Sequence, residues 1–291
     1  MRTSLFVFFL ASFVWTTAGY AQETAPPPPK DATADTAAKP DGAKPDGAKA
    51  DDAGLGLNVD LQLSSAYVFR GLNVFQKDGQ MNQNMLAAPG VTWTVGKTGI
   101  SVGYWGAFQL TGDNRSANTD NAVNMEQDLW VSYEKKLSEK LTVKGLATFY
   151  ILPFADLPDI SVPTWVEPMA SATYDLGMAT AGLAIAYFMG LQSDLRDFSY
   201  LYVNPTLEKS IKVLNKEVSF KVGYGYKQFK EGNDHMSNVH DLLFTVGTSF
   251  TVGPVYLKPG IGVAWTNIEG ADSALNDGLV VWGWLNVGMD K

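Results

Sequence analysis

The chain has 291 residues, 22 Lys+Arg against 30 Asp+Glu, a formal net charge of −8 and a mean hydropathy of −0.05. The absence of cysteine excludes disulfides, thiolate metal sites and cysteine nucleophiles. The acidic balance argues against a nucleic-acid partner, which would require a basic face to meet phosphates.

Residues 1–21 read as a secretory signal peptide. Met1-Arg2-Thr3 is a short positive start and Leu5–Trp15 is apolar. Gly19 and Ala21 are the small residues before a cut at Gln22. The apolar run is too short for a spanning helix. Residues 22–54 form a linker with Pro26–Pro29 and the near-repeat AKPDG-AKPDG-AKADD. Without large apolar side chains, most of this segment has no burial to offset chain entropy, so disorder or polyproline II is expected. Residues 55–291 are then the folded unit.

From Leu57 the sequence alternates with a period of two: Leu57, Val59, Leu61, Leu63, Tyr67 and Phe69 on one face, with Asn58, Asp60, Gln62, Ser64 and Arg70 on the other. The pattern recurs and predicts 12 strands, near 57–70, 83–95, 100–111, 122–134, 141–152, 162–174, 179–190, 198–208, 218–229, 238–251, 255–267 and 278–289. Connections alternate between short turns and longer polar loops. Strands of this length suffice to cross a bilayer when tilted. The fold class expected is all-β, a closed antiparallel transmembrane β-barrel with both termini periplasmic. Pro89, Pro168, Pro205 and Pro259 fall inside strands, where bulges would accommodate them.

Two features favour a membrane barrel over a soluble one. Asp60, Arg70, Glu126, Asp128, Lys144, Glu167, Lys221, Lys227, Asp241 and Lys258 all fall opposite the apolar face. Aromatics on the apolar face sort to strand ends: Tyr67, Phe69, Phe108, Phe149, Tyr187, Tyr224, Tyr226 and Trp265 at one end, Trp93, Tyr133, Tyr174 and Phe250 at the other. Such belts suit the two membrane interfaces. The expected location is the cell outer membrane. The expected partners are outer-membrane lipid and lipopolysaccharide, the barrel-assembly machinery and small polar solutes.

The inward ladder is the candidate site. Its pore-lining candidates are Arg70, Trp105, Glu126, Asp128, Trp130, Lys144, Glu167, Lys221, Lys227, Asp241, Lys258, Trp282 and Trp284. Acids on strands four and six (Glu126, Asp128, Glu167) and bases on nine and eleven (Lys221, Lys227, Lys258) would form opposed walls across a wet lumen. Tyr150, Trp165, Tyr200, Tyr202 and Tyr256 join them and offer rings for stacking. The loops are rich in acids, among them Asp113, Asp194, Asp197 and Asp272, which would gather cations at the mouth. No cofactor, catalytic or metal site is expected.

Three function classes follow: a porin-like channel for passive diffusion of small polar solutes, a non-conducting structural or surface-binding barrel whose lumen is packed, and an outer-membrane phospholipase. The last rests on His235-Met236-Ser237-Asn238, which matches an HxSN core. His240 and Asp241 fall on opposite faces of a strand and form no dyad.

Ser64–Asn73 (SSAYVFRGLN), with Glu126-Gln127-Asp128-Leu129 in the fourth strand, resembles the TorF-type family of putative outer-membrane porins. That likeness would cover residues 55–291 and implies a small-solute porin without catalytic residues.

Overall fold

The computed structural model describes residues 56–73, 85–110, 125–153, 162–229, 239–267 and 279–290. The signal peptide, the linker, the His235–Asn238 motif and most of the loop acids lie outside these residues. Twelve long strands form the wall: β1 Leu57–Ser64, β2 Leu86–Thr94, β3 Ile100–Gln109, β4 Met125–Lys136, β5 Leu141–Ile151, β6 Thr164–Asp175, β7 Thr180–Gly190, β8 Tyr200–Val213, β9 Lys216–Phe229, β10 Val239–Thr248, β11 Val255–Thr266 and β12 Leu279–Asp290. Phe250–Val252 continues β10 toward its turn with β11. Each strand pairs antiparallel with the next. β1 closes the ring on β12, from Asn58 opposite Asp290 to Ser64 opposite Trp284. This is a closed 12-stranded antiparallel barrel.

Side-chain period decides what each face meets. Every strand presents large apolar residues outward, such as Val59, Val91, Val131, Leu183, Leu207, Phe244, Ile261 and Val281, all exposed. An exposed apolar band around a whole barrel is a surface built for lipid. Trp93, Tyr133 and Tyr174 mark its short-turn rim, and Phe149, Tyr187, Tyr224 and Trp265 its loop rim.

The four prolines cause no bulges. Each faces outward and interrupts one ladder without shifting its register. β2 pairs with β3 at Ala87–Phe108 and resumes at Gly90–Trp105, skipping Pro89. β6–β7 skips Pro168 and β8–β9 skips Pro205 in the same way. On its other side each proline keeps its register partner, Pro89 with Leu61, Pro168 with Ala147, Pro205 with Leu183 and Pro259 with Leu285. Proline lacks one donor, so one flank loses bonds while the other retains its pairing.

Two strand limits differ from expectation. β8 and β9 extend to Val213 and Lys216 and turn through Leu214-Asn215, with φ of 50° and 65°. Positive φ at both central residues is the type I′ turn that matches strand twist. This hairpin runs past Thr180, the first residue of β7. The larger difference lies in β1, which ends at Ser64 and not at Arg70.

Candidate lumen site

Beyond Ser64 the chain leaves the wall. The Ser65 N–H still donates to the Gly283 carbonyl oxygen at 2.9 Å, the last bond along β12, and the Ser64 hydroxyl donates to the Ala66 carbonyl oxygen at 2.6 Å where the backbone departs. Val68 then pairs with Asn73 and Phe69 with Leu72 around Arg70-Gly71, a second turn with positive φ at both central residues, 44° and 86°. Gly71 suits this backbone; a Cβ there would also meet Asp241 Cβ at 2.7 Å and Thr266 Cβ at 3.1 Å. Arg70 has no such licence, and a non-glycine residue held left-handed costs about 1–3 kcal/mol.

The hairpin fills the loop half of the barrel interior. Tyr67 and Phe69, expected on the lipid belt, are 3% and 0% exposed and lie inside. Period-two alternation carries no sign of where a strand leaves the wall, so parity past Ser64 assigned the wrong side. Around the hairpin, Trp105, Glu126, Asp128, Tyr150, Trp165, Glu167, Phe188, Tyr200, Tyr202, Lys227 and Asp241 are all buried. Phe188, which the sequence analysis did not single out, is the hub: its ring lies 5.4 Å from Tyr150, 6.0 Å from Trp165 and 5.1 Å from Tyr200. It sits on the inward parity of β7, so alternation alone would have found it. Leu195, in the 3₁₀ turn Ser193–Phe198, is buried against Gly190 at the same end.

Arg70 is the centre of the polar network. Its Nη2 donates to Glu167 Oε2 at 2.6 Å and its Nη1 to the Tyr200 hydroxyl at 2.6 Å. The guanidinium carbon lies 4.0 Å from the Tyr202 ring centroid and 4.7 Å from that of Phe69. Tyr150 donates to the other oxygen of Glu167 at 3.2 Å. Lys227 Nζ donates to the Arg70 carbonyl oxygen at 2.8 Å and pairs with Asp241 at 3.2 Å, while Tyr202 donates to Asp241 at 3.2 Å. Tyr67 donates to Glu126 at 3.3 Å. Both ion pairs are almost fully buried. Among the described residues, five buried polar atoms of this layer have no hydrogen-bond partner: Arg70 Nε, Asn73 Oδ1, Asp128 Oδ1, Trp165 Nε1 and Asp241 Oδ2, the last in ion-pair contact with Lys227.

The turn half of the interior differs. Asp60, Trp130, Lys144, Lys221 and Lys258 face inward but are only half-buried. Trp130 covers Gly103, its ring occupying the place of the missing Cβ on the neighbouring strand. At the level of the hairpin Trp284 covers Gly260 and Trp282 covers Gly262 in the same way, and both pack with Ala66, Ala264 and Val280 in one buried cluster.

The acids Glu126, Asp128 and Glu167 stand on β4 and β6 and the bases Lys221, Lys227 and Lys258 on β9 and β11, but several of these charges have partners nearer than the opposite wall. Lys227 pairs with Asp241 on the adjacent strand, Lys144 stands opposite Glu134, and Lys221 opposite Glu208. Arg70 reaches Glu167 from the hairpin. Charges of opposite sign meet on adjacent strands and between hairpin and wall, which shortens the distances over which they must attract.

These features are an apolar girdle with two aromatic rims, a polar interior, and short turns at one end with long connections at the other. The fold is that of an outer-membrane β-barrel. No protein-family model matches the chain, and no curated protein matches it by sequence. Among solved structures, the NanC porin matches with a TM-score of 0.50 at 13% identity, covering 80% of this chain and 99% of that one. The KdgM porin in complex with disordered oligogalacturonate matches with a TM-score of 0.46 at 9% identity, covering 80% and 99%. LpxR from Salmonella typhimurium matches with a TM-score of 0.46 at 8% identity, covering 80% and 100%. At such identities the likeness is one of fold.

Proposed function

We propose that this barrel is an outer-membrane channel for small polar solutes, closed in the state described by the Ser65–Asn73 hairpin and conducting when that hairpin withdraws. The observation that carries this reading is the chemistry of the plug. A barrel filled only for stability is served best by apolar packing, because burying ion pairs costs several kcal/mol of desolvation per charge. Here the filling is ionic, strained at Arg70 and incompletely hydrogen-bonded. Such a layer is poised to exchange its partners for water. Toward the short turns the interior is polar, with Asp60, Lys144, Lys221 and Lys258 half-buried.

In this reading the chain is exported by its signal peptide, inserted by the barrel-assembly machinery and surrounded by lipid and lipopolysaccharide. The twelve candidate pore-lining residues on the wall form a path once the hairpin, which carries Arg70, moves. The resemblance to the TorF-type family falls on the hairpin itself, which would make the plug a shared device. The channel catalyses no reaction. A second reading, a non-conducting structural barrel, is favoured by the tightness of the packed layer.

Planar-bilayer recording separates the two. The wild type should be shut for most of the time. The triple variant Tyr67→Ser/Phe69→Ser/Arg70→Ser, which keeps chain length but removes the anchors, should conduct continuously. A triple variant that is folded by circular dichroism yet silent would establish the structural barrel.

A further inference from the structure

Arg70 is an imperfect occupant of a well-made seat. The seat consists of the Glu167 carboxylate and the Tyr200 hydroxyl, each 2.6 Å from a guanidinium nitrogen, with the Tyr202 ring at 4.0 Å below the cation. Glu167, Tyr200 and Tyr202 are each 2% exposed. Tyr150 holds the second carboxylate oxygen, so the anion is oriented by the wall and does not depend on the hairpin. A charge-assisted bond on each of two nitrogens with an aromatic face beneath is a recognition site for a planar cation.

The occupant fits poorly. Arg70 reaches the seat only with its own backbone at φ 44°, and its Nε is buried without an acceptor. The buried layer holds more carboxyl groups than bases. Among the described residues the buried layer holds Glu126, Asp128, Glu167 and Asp241 against Arg70 and Lys227. Glu126 accepts from the Tyr67 hydroxyl and shares a side-chain hydrogen bond with Asp128, whose Oδ1 has no partner.

We propose that the Arg70 seat is a cation subsite of the lumen, that it takes the guanidinium or alkylammonium group of a small solute, and that such a solute competes with Arg70 and thereby releases the hairpin. This rests on the channel reading above and names the solute class that reading leaves open. A free guanidinium carries no backbone strain into the seat. Its remaining N–H groups are not tied to a hairpin backbone.

The test is chemical rescue. The Arg70→Ala variant, refolded in detergent micelles, is melted with and without methylguanidinium chloride at low millimolar concentration. N-methylurea is the neutral control, and sodium chloride is matched throughout. Methylguanidinium should raise the melting temperature of Arg70→Ala by about 2–4 °C. N-methylurea should not, and the Arg70→Ala/Glu167→Gln variant should lose the rise. No rise in Arg70→Ala, or a rise that survives Glu167→Gln, would overturn the assignment. Should Arg70→Ala not refold, the same measurement is made on Arg70→Lys, whose shorter ammonium leaves room for the probe.

Wild-type recordings complete the test. Methylguanidinium added at the short-turn side should increase the open fraction severalfold, and N-methylurea should leave it unchanged. Rescue without any conductance in any variant would defeat the channel reading and leave the subsite standing. Conductance without rescue would do the reverse.

Discussion

Lys227 Nζ donates to the carbonyl oxygen of Arg70 at 2.8 Å, so a base on the wall holds the hairpin by its backbone at its tightest point. The same ammonium faces Asp241 at 3.2 Å. Removing one member of such a buried pair strands the other. Lys227→Met and Asp241→Asn should each destabilise the folded barrel by about 3–5 kcal/mol. The double variant should lose much less than the sum. Urea unfolding in micelles, followed by tryptophan fluorescence, measures all three.

Gly71 carries φ 86° and faces Asp241 and Thr266 at contact distance. Gly71→Ala should weaken the seating of the hairpin by about 1–2 kcal/mol from backbone sterics alone. The expected readout is a raised open fraction in single-channel records with an intact barrel. An open fraction equal to that of the wild type would show that the turn is not what shuts the lumen.

Leu183 points outward from β7 at 46% exposure, whereas Thr173, on β6, faces inward in the wet half. Leu183→Lys should destabilise by about 2–4 kcal/mol if it lies at the bilayer midplane. Thr173→Lys should have a markedly smaller effect. Equal losses would contradict the facing described above.

Gly103 lies beneath the Trp130 ring. A methyl group there has no space, and Gly103→Ala should lift the indole off the wall at a cost of about 1–3 kcal/mol. A change in tryptophan emission on this single substitution is the direct check. The same substitution at Gly145, where nothing approaches, should be silent.

Alternation made the wall legible. The residues between Leu57 and Asp290 announce nearly every strand, because one face must meet lipid and the other must not. The interior was legible only as parity. Trp105, Glu126, Asp128, Glu167, Lys227 and Asp241 lie on the inward side as their positions require, but the sequence could not pair them: adjacency of Lys227 and Asp241 depends on strand register. The hairpin was missed because Tyr67 and Phe69 keep the strand's period after the strand has ended. One signal marked it: Arg70-Gly71 has the glycine a tight turn needs. The long hairpin at Leu214-Asn215 was hidden because Lys209 and Lys212 look like a polar loop. Beyond the rim, strands no longer face lipid and need not be apolar outside.

Ser65–Asn73 cannot be in two places. The residues that close the interior are those that would have extended the first strand along the last, and the pairing of β1 with β12 stops at Ser64 and Trp284 for that reason. Occlusion is therefore drawn from the same stretch of chain as the final zipping of the cylinder. Any force or ligand that empties the bore frees a segment able to lengthen that junction. In the proposed channel, gating and lateral cohesion are two uses of one ribbon, and strengthening either comes at the other's expense.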